Sequence, residues 1–215
     1  MAHITGGRFK GTPLLMPPRI RATESKVRQA LFNILGEFVE GACVLDGFAG
    51  SGALGLEALS RGAAFAAFIE AEHGAIQAIR HNLARLSPAL PEGSWQVLRA
   101  PVAKGFRLLA EAGKRFNLVL LDPPYRTAEG KKALNSLVGC AILAPAGLVA
   151  VEHERQAILP QTIGSLLQWK RHRYGDTVLS FYRPFDAGPG PAPGPLLRVD
   201  PERARAIARA SRGTT

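Results

Sequence analysis

Val44-Leu45-Asp46-Gly47-Phe48-Ala49-Gly50-Ser51-Gly52-Ala53-Leu54-Gly55 reads as an apolar strand that breaks into glycines and restarts as a helix. Glycine supplies the φ > 0 conformations that so tight a reversal needs. The same alternation continues on the C-terminal side. A helix over 54–60 stops at Gly62, and a strand follows over 65–70. A helix carrying Ile76, Ile79, Leu83 and Leu86 ends at Ser87-Pro88 and leads to a strand over 95–98. A helix near 102–112, a strand over 118–122, a helix around 131–138 and a strand over 148–152 complete the series. Strands separated by helices need crossovers, which predicts an α/β fold with a mostly parallel sheet and helices on both faces. The end of the series breaks the rule. Strands over 168–173 and 177–183 are separated only by Tyr174-Gly175-Asp176, too short for a crossover, so they form a hairpin and one of them runs antiparallel.

Upstream of the glycine turn, Thr23 is the candidate N-cap of a helix with Val27, Ala30, Leu31, Ile34 and Leu35 on one face and Gly36 as its stop. Lys26 and Arg28 then face outward. Ahead of this helix, Gly6, Gly7, Gly11, Pro13, Pro17 and Pro18 punctuate short apolar pieces, predicting a small hairpin or extended arm over 1–22. The main domain spans 23–185. Residues 186–215 read as a Gly/Pro-rich linker and a basic tail.

The 215 residues are 47% apolar, enough for one core, and carry a net charge of +10. Residues 1–28 hold Arg8, Lys10, Arg19, Arg21, Lys26 and Arg28 against a single acid, Glu24. A polyanionic partner fits this imbalance. Arg8, Lys10, Arg19, Arg21 and Arg28 are the candidate phosphate contacts, the alternative being a solvated arm; Lys170, Arg171 and Arg173 on the hairpin are open to the same two readings. No apolar run approaches the ~18 residues of a membrane span, and the first ten residues lack the apolar stretch of a secretory signal, so a cytoplasmic protein is expected. Cys43 and Cys140 read as packing residues, and no metal site is expected. His153 lies between Glu152 and Glu154, but neighbouring strand residues point to opposite faces.

Two places carry chemistry. Gly50, Gly52 and Gly55 satisfy G-x-G-x-x-G after a strand, and Glu70 closes the next strand where a ribose diol needs an acceptor, so a nucleoside-bearing cofactor suits the turn. A plain tight turn with a solvated Glu70 is the alternative. Asp46 either holds the amino group of an amino-acid-containing cofactor or caps the turn. The second place is Asp122-Pro123-Pro124-Tyr125, after the apolar strand Asn117-Leu118-Val119-Leu120-Leu121. Two prolines fix φ and remove two N–H donors. A carboxylate, a carbonyl and an aromatic ring are thereby held at the sheet edge. That set suits a planar base with an exocyclic amine: Asp122 and the Pro123 carbonyl accept the two N–H hydrogens while Tyr125 stacks on the ring. A dinucleotide-dependent oxidoreductase shares the glycine spacing but gives no reason for this proline-rich turn.

These two motifs resemble the cofactor and catalytic motifs of class I S-adenosylmethionine methyltransferases that act on exocyclic amines. More narrowly, Arg21-Ala22-Thr23-Glu24-Ser25-Lys26-Val27-Arg28-Gln29-Ala30-Leu31-Phe32-Asn33, Leu54-Gly55-Leu56-Glu57-Ala58-Leu59-Ser60-Arg61-Gly62-Ala63, Tyr174-Gly175-Asp176-Thr177 and Phe181-Tyr182-Arg183 resemble the bacterial 16S ribosomal RNA guanine-N2 methyltransferase family. The resemblance covers about residues 5–184. It implies a Rossmann-like seven-stranded sheet with an antiparallel last strand, S-adenosyl-L-methionine as cofactor, and guanine N2 in small-subunit ribosomal RNA as target. The partner is then ribosomal RNA or the small ribosomal subunit, and the protein is expected to be a monomer. By position, Phe48, Ala49, Gly50, Ser51 and Gly52 would hold the methionine part of the cofactor, with Asp46 and Thr23 beside them. Glu70 would meet the ribose hydroxyls and the Ala100 position the adenine, with Ala71 and Pro101 as further cofactor-binding candidates, and Asp122, Pro123, Pro124 and Tyr125 would receive the target base. The family usually has an acid where this chain has Ala100, so backbone groups must substitute there. An adenine-N6 methyltransferase and a noncatalytic RNA-binding assembly factor of the same fold are the alternatives.

Overall fold

The computed structural model describes residues 2–17 and 25–186. Eight strands, β1 (Cys43–Gly47), β2 (Phe65–Glu70), β3 (Trp95–Arg99), β4 (Phe116–Leu121), β5 (Leu143–Glu154), β6 (Thr162–Ile163), β7 (Leu166–Tyr174) and β8 (Thr177–Pro184), form one sheet in the order β3-β2-β1-β4-β5-β8-β7-β6. The first five pair in parallel, and β8 runs antiparallel between β5 and β7. The seven expected strands are all present. The eighth, β6, is a two-residue edge piece folded back on β7 by Gly164 at φ 54, too short to leave a periodic signal in sequence.

Among the described residues five α-helices, α1 (Ser25–Leu35), α2 (Ala53–Ser60), α3 (His73–Leu86), α4 (Val102–Glu111) and α5 (Glu129–Cys140), cover both faces. Side-chain alternation divides the strands between two layers. Leu45, Val119, Leu121, Val149 and Val151 pack with Phe106 and Leu109 of α4 and Leu134 and Leu137 of α5. Val44, Leu118, Leu120 and Ala150 pack with Val27, Leu31, Phe32 and Leu35 of α1. Buried on both faces, β4 is apolar at nearly every position, as a central parallel strand must be. Gly55 lets α2 close on β2, because a Cβ there would lie 2.3 Å from the Phe68 ring.

Residues 2–17 fold as a small hairpin, with Ile4 N–H donating to the Thr12 carbonyl (3.0 Å) and Gly11 N–H to the Ile4 carbonyl (2.8 Å). Ile4 and Leu14 are buried against Leu56 and Leu59 of α2 and Ile79 and Leu83 of α3, so this segment belongs to the core. Its second anchor is Glu57, whose buried carboxylate accepts the Thr5 N–H (2.7 Å), the Thr5 hydroxyl (2.8 Å), Arg28 Nε (3.3 Å) and Arg61 Nε (2.9 Å).

Arg28 therefore corrects the sequence-based expectation. It faces inward with no exposed side-chain surface, pairs with Glu57 and donates through Nη2 to the His3 carbonyl (2.5 Å), so it has no route to a phosphate. The amphipathic pattern of α1 does not reveal this because the hairpin, not the sheet, covers Arg28. Lys26 is exposed. Thr23, Arg19, Arg21 and the stretch 187–215 lie outside the described residues.

Candidate active site

Pairing register brings the chemistry to one edge. Gly47 stands beside Ile69 on one side and Leu121 on the other, so Phe48, Glu70 and Asp122 leave three adjacent strands together. The chain builds outward from β1 to β3 and then returns to place β4 on the other side of β1. That reversal of strand order is where open α/β sheets leave a crevice at their carboxyl ends.

The glycine turn is wound by left-handed residues at Phe48 (φ 67), Gly50 (φ 56) and Gly52 (φ 81). A side chain at such a φ is unfavourable by about 1 kcal/mol, so Phe48 marks a turn whose shape is imposed by its surroundings. Several of its backbone donors are already engaged. Gly50 N–H donates to Glu70 Oε2 (2.8 Å), Gly52 N–H to the Ala49 carbonyl (2.6 Å), and Gly55 N–H to Asp46 Oδ2 (2.8 Å). Glu70 Oε1 accepts the N–H groups of Ala71 (2.6 Å) and Glu72 (2.9 Å). A dinucleotide pyrophosphate would have to compete with these internal carboxylates and carbonyl for the N–H groups of Gly50, Gly52 and Gly55.

Asp46 is 1% exposed. Its Oδ2 caps Gly55, while its Oδ1 is buried without a hydrogen-bond partner. Burial pushes its carboxyl up to about 7, against the Gly55 hydrogen bond, and the charges of Asp122 and Glu70 push the same way. Three carboxylates converging on one crevice favour a ligand with positive charge and amine hydrogens, and disfavour a phosphate.

The Asp122 turn is gripped from behind. Tyr125 donates its hydroxyl hydrogen to Glu152 Oε1 (3.2 Å) and lies 2.8 Å from the Thr177 hydroxyl, fixing the ring. Two residues along β5, on the same face as Glu152, Glu154 Oε1 accepts the Arg126 N–H (2.7 Å). The Thr127 hydroxyl donates to the Pro124 carbonyl (2.6 Å). Pro123 is buried, Asp122 and Tyr125 are partly exposed, and Pro124 is exposed. Glu152 and Glu154, seen in the sequence only as neighbours of His153, are thus the supports of the turn. His153 points the other way, burying its ring with Nε2 2.9 Å from the Ser180 hydroxyl.

Another residue that sequence reasoning missed is Asn82. Buried on α3, it accepts the Leu15 N–H through Oδ1 (2.8 Å) and donates through Nδ2 to the carbonyls of Leu15 (3.1 Å) and Ser51 (3.0 Å). One amide ties the N-terminal hairpin to the glycine turn, and a lone asparagine in a helix carries no sequence signal of this. Asn82→Ala should cost about 2–3 kcal/mol, since it orphans three backbone groups. Thermal unfolding and cofactor titration should show a lower melting temperature together with weaker binding.

At the third strand end, Ala100 is buried with its N–H committed to the Glu70 carbonyl (3.0 Å), and Pro101 caps α4 without an N–H to offer. Neither side chain supplies an acceptor. Of the basic candidates on the hairpin, Lys10 is exposed, and Arg8 is exposed while donating to the Ala89 carbonyl (2.6 Å) and lying 5.5 Å from the Phe9 ring centre. Among the described residues no three His, Cys, Asp or Glu side chains are grouped to hold a metal ion. No helix among them is long and apolar enough to cross a membrane.

Comparison with known proteins gives concordant results. A model of the family described as Conserved hypothetical protein 95 matches residues 2–183. The chain is 38% identical over 173 residues to Ribosomal RNA small subunit methyltransferase D of Escherichia coli (strain K12), covering 80% of this chain and 82% of that protein. Hypothetical protein TTHA0928 of Thermus thermophilus superposes with a TM-score of 0.72 at 28% identity, covering 84% of this chain and 98% of that one. At 16% identity, SMU.776 complexed with SAH superposes with a TM-score of 0.58 over 76% of this chain and 50% of that one, which shows the shared fold.

Proposed function

The chain belongs to the Conserved hypothetical protein 95 family, a family of S-adenosyl-L-methionine-dependent methyltransferases, and from that premise we propose that it methylates the exocyclic N2 of a guanine in small-subunit ribosomal RNA. The observation that carries this reading is the register that sets the Asp122 turn beside the glycine turn at one sheet edge.

The residues fit the cofactor. Asp46 Oδ1, buried and unpartnered, suits the ammonium of its methionine part, and Glu70 suits its ribose hydroxyls. When bound, the cofactor supplies an electrophilic methyl on a cationic sulfur. Asp122 and the Pro123 carbonyl accept the two amine hydrogens, orienting a lone pair that is otherwise delocalised into the base. Tyr125, its hydroxyl tied to Glu152 and Thr177, presents a fixed ring for stacking. Asp122 also lies where a released proton can be held. A paired guanine hides its N2, so the target must be looped or flipped out. Lys10 and Arg8, and by position Arg19 and Arg21, serve as phosphate contacts that give affinity and register.

Incubation with methyl-labelled cofactor and separate RNA and DNA pools, followed by nucleoside identification, tests the reading. Label in N2-methylguanosine from small-subunit RNA is expected; label in N6-methyladenine would replace it with the adenine reading. The Ala100 position favours one other reading, a noncatalytic RNA-binding assembly factor. Calorimetric binding of S-adenosylhomocysteine at micromolar concentration is expected, and no binding at millimolar concentration would favour that factor.

Asp46 also sets a pH dependence. With its carboxyl pushed up to about 7, the free site is mostly protonated at pH 6, and an ammonium needs the ionised form. Cofactor affinity should therefore rise by up to about tenfold per pH unit below 7 and level off above about 8. In Asp46→Asn the affinity should be lower and the profile flat across the same range. A wild-type profile without slope between pH 5 and 7 would remove Asp46 from the ammonium site.

A further inference from the structure

The side of the reaction edge away from the N-terminal hairpin carries three arginines that the sequence does not group. Arg126 follows the Asp122 turn directly, Arg155 follows β5, and Arg173 lies one residue before the end of β7. Because β5 and β7 run in the same direction as β4, all three reach the same end of the sheet. The β7 to β8 turn lies there too, and the Arg155 N–H donates to its Asp176 carbonyl (2.8 Å). All three arginines are exposed.

Among the described residues none of the three guanidinium groups is in an ion pair: Glu154 accepts the Arg126 N–H, Glu129 pairs with Lys132, and Arg173 donates through Nε to the Gly175 carbonyl (2.9 Å), leaving its Nη groups outward. Arg126 is also held at φ 61, a conformation that side chains with a Cβ rarely adopt and that glycine fills at no cost. The chain keeps an arginine there, pinned by a carboxylate, at the step that leaves the catalytic motif. Such strain at a site edge points to a use for the side chain.

We propose that Arg126, Arg155 and Arg173 form a phosphate-binding rim that holds the RNA strand on the β5–β8–β7 side of the target base. The proposal rests on the RNA-methylation reading and adds the surface that grips the strand beyond the base. From β4 to β7 the rim spans ~14 Å at the usual strand spacing, room for a short run of backbone phosphates. The hairpin packs on α2 and α3, and its Arg8 lies against the carbonyls of Ser60, the last residue of α2, and Ala89, just after α3, away from the reaction edge, so the rim is a separate basic surface beside the base clamp. Guanidinium groups suit phosphate oxygens through paired N–H donors.

The test uses the full-length protein and a small-subunit ribosomal RNA fragment that the wild type methylates, with affinity measured across a salt series. Alanine at all three positions should weaken binding at least about tenfold and make the log–log salt slope shallower by about 2, the loss of three single-strand phosphate contacts. S-adenosylhomocysteine binding should be unchanged. Arg126→Gly separates RNA contact from structure: it should melt at or above the wild-type temperature yet bind RNA more weakly. A triple variant with wild-type affinity and slope, or an Arg126→Gly protein with unaltered RNA binding, would overturn the rim while leaving the methylation reading intact. A wild type that methylates no RNA would overturn the reading itself.

Discussion

Asp122→Ala is expected to lower methyl transfer by about a thousandfold or more while leaving S-adenosylhomocysteine affinity within a few-fold of wild type. The magnitude follows from losing one of two acceptors that orient a weakly nucleophilic amine, together with a group that can hold the proton. Cofactor binding should survive because the anchors proposed for it, Asp46 and Glu70, lie on β1 and β2 rather than on β4. Single-turnover kinetics with saturating cofactor checks the first half and calorimetry the second. A fall in both by the same factor would mean that Asp122 holds the cofactor rather than the base. Tyr125→Phe separates support from stacking: the ring remains but loses its bonds to Glu152 and Thr177, so a smaller loss is expected than for Tyr125→Ala.

Glu57→Ala is expected to destabilise the protein by about 3–5 kcal/mol, lowering the melting temperature by roughly 10 °C. The substitution leaves Arg28 fully buried without its closest carboxylate and frees Thr5, so the hairpin loses its polar anchor as well. Burial already pulls the Arg28 guanidinium below its ordinary value, and the Glu57 charge is what opposes that. Glu129→Ala is the matched control. Its pair with Lys132 is 2.9 Å long but exposed, and its loss should stay within about 1 kcal/mol. Equal effects of the two substitutions in thermal or urea unfolding would contradict the assignment of Glu57 as the buried hub.

The same contrast explains what could be read from the amino acids alone. Strands β1 to β5 and the β7–β8 hairpin are legible because each is an apolar run bounded by Gly, Pro or a short polar turn, and the helices between them repeat at helical spacing. The Asp122 turn is legible because two prolines behind a carboxylate leave few conformations. Arg28 is misleading because a helical pattern tells which side chains face the sheet, not which are covered by a distant segment. Glu57, Asn82, Glu152 and Thr177 are silent for a related reason. Each acts through hydrogen bonds to residues far along the chain: Glu57 to Thr5, Asn82 to Leu15 and Ser51, Glu152 and Thr177 to Tyr125. Periodicity carries no record of such partners. β6 is simply too short to have a period.

The departure at Ala100 is not made good by backbone donors. Its N–H is consumed in continuing the β2–β3 ladder, Pro101 starts α4 without a donor, and neither side chain carries an acceptor. On the proposed placement, affinity for the cofactor then comes mainly from the methionine and ribose ends, assigned to Asp46 and Glu70. This makes the Asp46 pH profile a sensitive measure of how the site works.

The amine clamp is tested most directly in cells. Small-subunit ribosomal RNA from a strain carrying Asp122→Ala in place of the native gene can be digested and its nucleosides measured by mass spectrometry against the parent strain. The clamp predicts the loss of N2-methylguanosine at one position with every other modification retained. An unchanged N2-methylguanosine content would contradict it.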